Sequence, residues 1–553
     1  VVQQEEEQMT QIDWSVLSGP RVSRRTMMQL AIASGATAFA NRFGSLDASA
    51  AGGRSSQTQR SSHQEAKTGG TLRLGFGLSQ IVTLDPAQVN LGIVAGELVA
   101  NLFSSLVQFD TNLGLVADLA ETWEVSPDGM QYTFKLRSGL TFHNGDPLTA
   151  NDLLYTYQRT TNPDFASPHA NKLALISEAT APDDLTFAIT MSAPYAPFLA
   201  TACSRGPGRA LTPISKRAID EMGDEQFGIT PIGCGPFKIV PDGVDLASGF
   251  KMVAFDGWYG GRPFVDEIQV QVIPEPSSMV SALEAGDVDM LDIAPAIGIE
   301  QLRGNGDVTV VETPGTNWVG LAMNFARPPW DNVAARMAIA KSVNRDDLIT
   351  KAFFGVAQPA IGAIAPAFGF AYLPPDQVEN PQAYDADAAP GLVEAAGLKD
   401  AKPTLMFNQG NNRVAEVLQS QMRDVGIDMQ IELLQGAAWN ERWLAKDYDW
   451  IVNGSVVDAD PDDGHWNFFY STGPWNTYSY NNPEVDSLLE QTRTTAVQED
   501  RATLFQQIQA TTSQDVAYAF LYHTPDFVAF ANYVKGYVTI PEMRYLETVW
   551  LDQ

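Results

Sequence analysis

Residues 119–160, LAETWEVSPDGMQYTFKLRSGLTFHNGDPLTANDLLYTYQRT, leave the chain little choice of local structure. Trp123 and Val125 lead into Ser126, Pro127, Asp128 and Gly129; beyond them Tyr132, Phe134 and Leu136 alternate with Thr133, Lys135 and Arg137. Proline presets φ and glycine supplies a positive φ, so the break is a turn between two strands with one buried face. A second tight turn, Phe142 to Asp146, precedes Thr149 with Asp152 three residues on, the pattern of a capped helix start, and Leu153, Leu154 and Tyr157 continue it. A strand pair therefore feeds a helix. His143 has no Cys, Glu or second His at ligand spacing, so a structural hydrogen bond is expected of it.

The pattern changes period between Arg413 and Leu433. Val414, Val417, Leu418, Met422 and Val425 repeat at helical spacing up to Gly426; Ile427, Met429, Ile431 and Leu433 then alternate with Asp428, Gln430 and Glu432. A helix running into a strand is the unit of an α/β domain. With 553 residues, more than one core is needed. A formal net charge of −31 argues against nucleic acid as a partner, since its phosphates require a basic stripe.

Near the N-terminus, Arg24 and Arg25 precede a short apolar run from Leu30 to Ala40 that closes on Ala38-Phe39-Ala40. Paired arginines, a run too short to span a bilayer and an A-x-A end predict a twin-arginine export signal over 1–40, the alternative being a Sec signal with Arg24 and Arg25 as its basic flank. No cysteine follows as a lipid-attachment site, so a periplasmic or extracellular location is expected. Residues 41–70 are rich in Ser, Gly, Gln and Ala, the composition of a flexible linker. Thr71 to Phe76 alternates as a strand, and 92–109 reads as a helix with Leu98, Leu102 and Leu106 inward.

Cys203 and Cys234 are the two cysteines. They would form one disulfide, worth ~3 kcal/mol in the chain-entropy model, or remain buried thiols; both readings stay open. Asp287, Asp289 and Asp292 alternate with Val288 and Met290 and read as a solvated strand edge. Residues 439–480 are dense in aromatics, including Trp439, Trp443, Trp450, Trp466 and Tyr470, interleaved with Asp458, Asp460, Asp462, Asp463 and His465. Some of these rings are expected to line a cleft, others to be core, with Trp450 the foremost core member. Carboxylates beside aromatics suit an ammonium group or sugar hydroxyls. A calcium loop over Asp458 to Phe469 fails on Pro461, on a late Gly464 and on Phe469 where a bidentate Glu is needed. Neither a metal site nor a cofactor motif is found.

The hairpin-to-helix stretch resembles the signature of the extracytoplasmic solute-binding proteins of the peptide and nickel type (family 5), which serve ABC importers. The likeness extends to Thr83-Leu84-Asp85-Pro86, to Pro231-Ile232-Gly233-Cys234-Gly235-Pro236-Phe237, to Phe255 through Ile268, to Pro328-Pro329-Trp330-Asp331 with its helix pair capped by Asn344, and to Tyr480 through Asp486. It implies a two-lobed periplasmic-binding-protein α/β fold, type II-like of cluster C, with an extra inserted domain. Lobe I would comprise 71–110, 231–314 and 524–553, the inserted domain 111–230, and lobe II 315–523. The segment 231–237 would lie near the hinge.

Resemblance further implies a monomer that is not an enzyme, captures a small-molecule or oligopeptide ligand and delivers it to a membrane permease. In peptide-binding relatives a D-x-x-x-P loop holds the ligand's α-amino group; here Val457 stands four residues before Pro461, with Asp458 and Asp460 nearby. The candidate ligand residues are Asp458, Asp460, His465, Trp466, Trp439 and Trp318. Arg413 and Asn411, at a helix start, could meet a carboxylate, although Arg413 could equally salt-bridge an acidic neighbour. The rival reading is a secreted hydrolase of peptides or glycosides, against which stands the lack of a G-x-S-x-G or H-E-x-x-H motif.

Overall fold

The computed structural model describes residues 66–78, 81–90, 92–455 and 460–553. The export signal, nearly all of the linker, and Asp458 lie outside the described residues.

Three main sheets organise the chain. The first has seven strands in the order Val308–Thr313, Asp526–Ala531, Met290–Leu291, Thr71–Phe76, Glu267–Val272, Gly249–Ala254 and Phe237–Ile239. Its central strand, Thr71–Phe76, pairs in parallel with Glu267–Val272 and with Met290–Leu291. The strand buries Leu72, Leu74 and Phe76, its alternate residues. The second sheet has six strands, Gln358–Pro359, Ala519–His523, Trp318–Met323, Trp450–Ser455, Thr404–Phe407 and Gln430–Leu433. The third is the antiparallel set Ala120–Val125, Gln131–Leu136, Thr186–Met191 and Ile176–Asp183.

Local chemistry explains the third sheet. Gly129 takes φ 69° and donates to the Ser126 carbonyl at 2.8 Å, closing the predicted turn. The Asp152 carboxylate accepts from the Thr149 backbone N–H at 2.8 Å as the helix Ala150–Thr161 begins. His143 is structural, as expected: its Nδ1 accepts from Gly233 N–H and its Nε2 donates to the Gly235 carbonyl, both at 3.1 Å. Burial holds its pKa down at about 3, so the ring is neutral and bonded on both sides.

Three expectations need correction. The helix read over 92–109 stops at Leu102: residues Ala95–Val99 form a π turn, and Val107–Phe109 is a strand. Ser105 N–H goes to the Asp118 carboxylate at 2.8 Å instead of a helical carbonyl, and it is the surrounding burial that hid the break from periodicity. The segment 231–237 does not join the two large sheets. A Cβ on Gly233 would stand 2.0 Å from the Leu102 carbonyl and one on Gly235 2.5 Å from Phe103 N, so these glycines let the segment lie against residues 102–103 and His143. The chain passes between the large sheets between Thr313 and Trp318 and again between His523 and Asp526.

The third correction concerns the acids of 287–292. Asp289 and Asp292 are buried, Asp289 under Arg73 and Tyr533, and Asp292 accepting from Gly77 N–H at 3.2 Å. Both cysteines are buried and free.

Candidate functional site

The two passages bring the ends of the large sheets together. In the second sheet Trp318 begins one strand and pairs with Ser455, which ends its neighbour; His523 ends a third. In the first sheet Asp526 begins a strand antiparallel to Met290–Leu291, so Asp526 and Asp292 stand at one end. That end is also the carboxyl end of the parallel strand Thr71–Phe76. Ligands of open α/β sheets bind outside such strand ends, because the backbone and side-chain groups there have no further strand to satisfy them.

Among the described residues, half of the buried side-chain polar atoms without a hydrogen-bond partner lie beside this seam, the others being on Trp439, Trp443, Trp450, His465 and Ser471. Trp318 Nε1, Asn453 Nδ2 and Ser455 Oγ are buried without a hydrogen-bond partner on the second sheet, and Glu97 Oε2 and the Tyr537 hydroxyl are so on the first side. Buried polar groups are otherwise nearly always satisfied, so a cluster of exceptions marks where an added molecule would supply bonds.

The wall beyond Ser455 is the helix Pro461–Phe469. Asp460 caps it, accepting from Asp462 N–H at 2.9 Å, and also takes both Arg501 terminal nitrogens at 2.9 and 2.8 Å. Asp462 is bound by Arg493 Nε and Nη2 at 2.9 and 2.8 Å and accepts from the Tyr195 hydroxyl at 3.4 Å. Ala196 N–H donates to the Arg493 carbonyl at 2.7 Å, so the segment holding Tyr195 is tied to this wall. His465 Nδ1 lies 2.8 Å from the Pro461 carbonyl, and burial lowers its pKa to about 4, leaving the ring neutral.

The sequence-predicted residues therefore separate by role. Trp318 has no exposed surface; its ring packs on Phe468, Phe469, Tyr518 and Phe520 with only Nε1 unspent. Asp460 and His465 are buried and bonded within the wall. Trp466 is partly exposed, stacked on Tyr470 at 3.9 Å with the Arg493 guanidinium 3.5 Å over its ring. Trp439 packs against Trp443 at 5.2 Å on the helix Gly436–Leu444, its Nε1 buried and unpartnered. Asn411 accepts from the Tyr522 hydroxyl at 3.5 Å, and exposed Arg413 covers the Phe354 ring at 4.6 Å rather than meeting a carboxylate. Trp450 is core, with no exposed surface. Among the described residues no group of three or more His, Cys, Asp or Glu is placed to hold a metal ion.

Sequence reading missed Glu97, Asp526, Glu542 and Arg544, which surround the first-sheet side of the seam. Each is a charge inside an apolar run, such as Asp526 before Phe527-Val528-Ala529-Phe530, and that was the signal available.

Two α/β lobes joined by paired passages, with unsatisfied polar atoms along their seam, define a solute-binding protein that closes over its ligand. The chain belongs to the bacterial extracellular solute-binding proteins, family 5, whose model matches residues 114–477. It is 26% identical over 482 residues to the glutathione-binding protein GsiB of Pectobacterium atrosepticum, covering 84% of this chain and 91% of that one. It is also 26% identical over 477 residues to the dipeptide-binding protein of Escherichia coli, covering 80% and 87%. Among solved structures, the periplasmic binding protein DppA of Helicobacter pylori in complex with the peptide STSA aligns with TM-score 0.74 and 26% identity over 88% of this chain and 99% of that one. The Bacillus subtilis oligopeptide-binding protein AppA, at 21% identity, TM-score 0.74 and coverage of 88% and 100%, shares the fold.

Proposed function

We propose that this chain is the binding subunit of an ABC importer, exported through the twin-arginine pathway, which encloses a peptide-like solute between its lobes and passes it unchanged to a membrane permease. The observation that carries this reading is the set of buried, unpartnered polar atoms on both sides of the seam, Trp318 Nε1, Asn453 Nδ2 and Ser455 Oγ opposite Glu97 Oε2. Donors and acceptors in that number suit a ligand rich in amide and charged groups, and the relatives named for glutathione, dipeptides and the peptide STSA support peptides as the class.

Lobe I is taken as 71–110, 231–314 and 524–553, the inserted domain as 111–230 and lobe II as 315–523, a division that keeps each of the three main sheets within one part, while the hairpin Val107–Phe109 with Leu115–Ala117 links the first two. The protein is taken as a monomer without catalysis. Asp458 and Trp466 contact the solute, Trp439, Asn411 and Arg413 border it, and Trp318, Asp460 and His465 hold the wall in place. The side-chain amides and backbone of a captured peptide would bury against both lobes, and contacts absent from the open form would hold the closed one.

The test is mass spectrometry of solutes that co-purify with the protein, followed by calorimetric titration with a library of di- to pentapeptides. Micromolar or tighter binding of recovered, chemically intact peptides is expected, weakened about tenfold by Trp466→Ala. Hydrolysed peptide, or no peptide affinity at all, would overturn the reading.

A further inference from the structure

On the lobe I side of the seam, charge is badly out of balance. Glu97 sits on the π turn Ala95–Val99, Asp292 follows the strand Met290–Leu291, Asp526 opens the strand Asp526–Ala531, and Glu542 lies in the C-terminal segment. Among the described residues one cation stands with them. Arg544 Nη2 lies 2.6 Å from Asp526 Oδ2 and 3.7 Å from Glu97 Oε1, and its Nε donates to the Asp292 carbonyl at 3.0 Å. The other groups facing the cluster are neutral: the Thr316 hydroxyl donates to Glu542 at 3.2 Å, Gly77 N–H to Asp292, and the Tyr537 hydroxyl has no partner.

Four carboxylates around one guanidinium leave acceptor capacity without donors. Glu97 is 2% exposed, yet its Oε2 meets no donor at all. An isolated buried carboxylate oxygen costs far more than a bonded one, and a positive partner would remove that cost. Glu542 is partly exposed and takes a left-handed φ of 61°, a backbone conformation held where the surroundings impose it. It adjoins Thr316, in the passage to lobe II, so the cluster is continuous with the seam.

We propose that Glu97, Asp292 and Glu542 form a subsite for a cationic group of the solute, a primary ammonium or a guanidinium, so that the protein selects basic over neutral peptides. The inference rests on the capture reading and names the chemical class that reading leaves open. Among the described residues no group of three or more acids is placed to hold a metal ion. Without a ligand, burial and mutual repulsion hold Glu97 well above the ordinary carboxylate range and raise Asp292 and Glu542 to about 7. The cluster is therefore partly protonated near neutrality, and an entering cation releases protons to solvent.

The experiment compares Ala-Lys-Ala with Ala-norleucine-Ala, peptides whose central side chains share four carbons and differ by the ammonium that ends the lysyl one, by calorimetric titration at pH 7.5 in buffers of different ionisation enthalpy. The lysyl peptide is expected to bind tighter by a factor on the order of ten, with proton release, and Glu97→Gln is expected to erase both the preference and part of the release. Glu97→Gln keeps shape and is checked for folding by its melting curve; Glu542→Gln is the second variant should it fail. Equal affinity for the two peptides, or a preference that survives both substitutions, would overturn the subsite while leaving peptide capture standing. Binding of neither peptide, together with Glu97-dependent binding of putrescine, would keep the subsite and discard peptides as the class. Absence of binding by all three probes would remove both.

Discussion

Two groups of buried charge lie on either side of the same seam and are built in opposite ways. On lobe II, Asp460 is gripped by Arg501 and Asp462 by Arg493, one guanidinium to each carboxylate with two donors engaged. On lobe I, Glu97, Asp292, Asp526 and Glu542 share Arg544. The first arrangement is complete, and it fixes the start of a helix. The second is short of cations and leaves an acid oxygen bare. Paired buried charge holds structure in place, whereas buried acids short of a cation at the meeting of two lobes are where a cationic group would bind.

Removing a cation from the complete side should have the largest effect. Arg501→Met strands Asp460 without its partner in the interior, and a loss of about 3–5 kcal/mol is expected in urea unfolding at pH 7. If Arg501→Met costs no more than an ordinary surface change, the contrast between the two sides collapses.

Removing an acid from the incomplete side should do the reverse. Asp292 and Glu542 have folded pKa values near 7, above the unfolded range near 4. The folded state then binds more protons than the unfolded chain between those values, so these groups reduce the ligand-free protein's stability as pH climbs from about 4 to about 7. Asp292→Asn retains an acceptor for Gly77 N–H and should stabilise the ligand-free protein by about 2 kcal/mol at pH 8 and hardly at all at pH 4. Melting curves of both proteins across that range give the answer; a pH-independent difference would contradict the assignment.

The smallest effect sharpens the comparison from outside. Lys216 and Asp220 form an exposed pair at 2.5 Å along a helix, well away from either cluster. Lys216→Ala should leave the melting midpoint unchanged within error, because exposed pairs are screened and cost side-chain entropy.

The same division explains what could be read in advance. The hairpin and capped helix of 119–160, the helix-to-strand change at 413–433 and the cap at Asn344 are local: turn residues, caps and periodicity act within a few residues, and all are found. Trp318, Asp460 and His465 were legible as special residues, but their neighbours come from far along the chain, and only packing shows Asp460 and His465 bonded inside the wall and Trp318 stacked among aromatic rings. The alternation around Asp289 and Asp292 suggested a solvated edge because periodicity cannot tell an outer strand from one covered by Arg73 and the C-terminal segment.

The sequence by itself determined the family, the α/β character of the lobes, and where the strands, turns and capped helices begin, because those depend on signals between near neighbours. Tertiary structure alone decided which acids are paired and which are not. Glu97, Asp292, Asp526, Glu542 and Arg544 are spread over most of the chain, and the balance of charge in a desolvated space depends on who meets there, which no local pattern encodes.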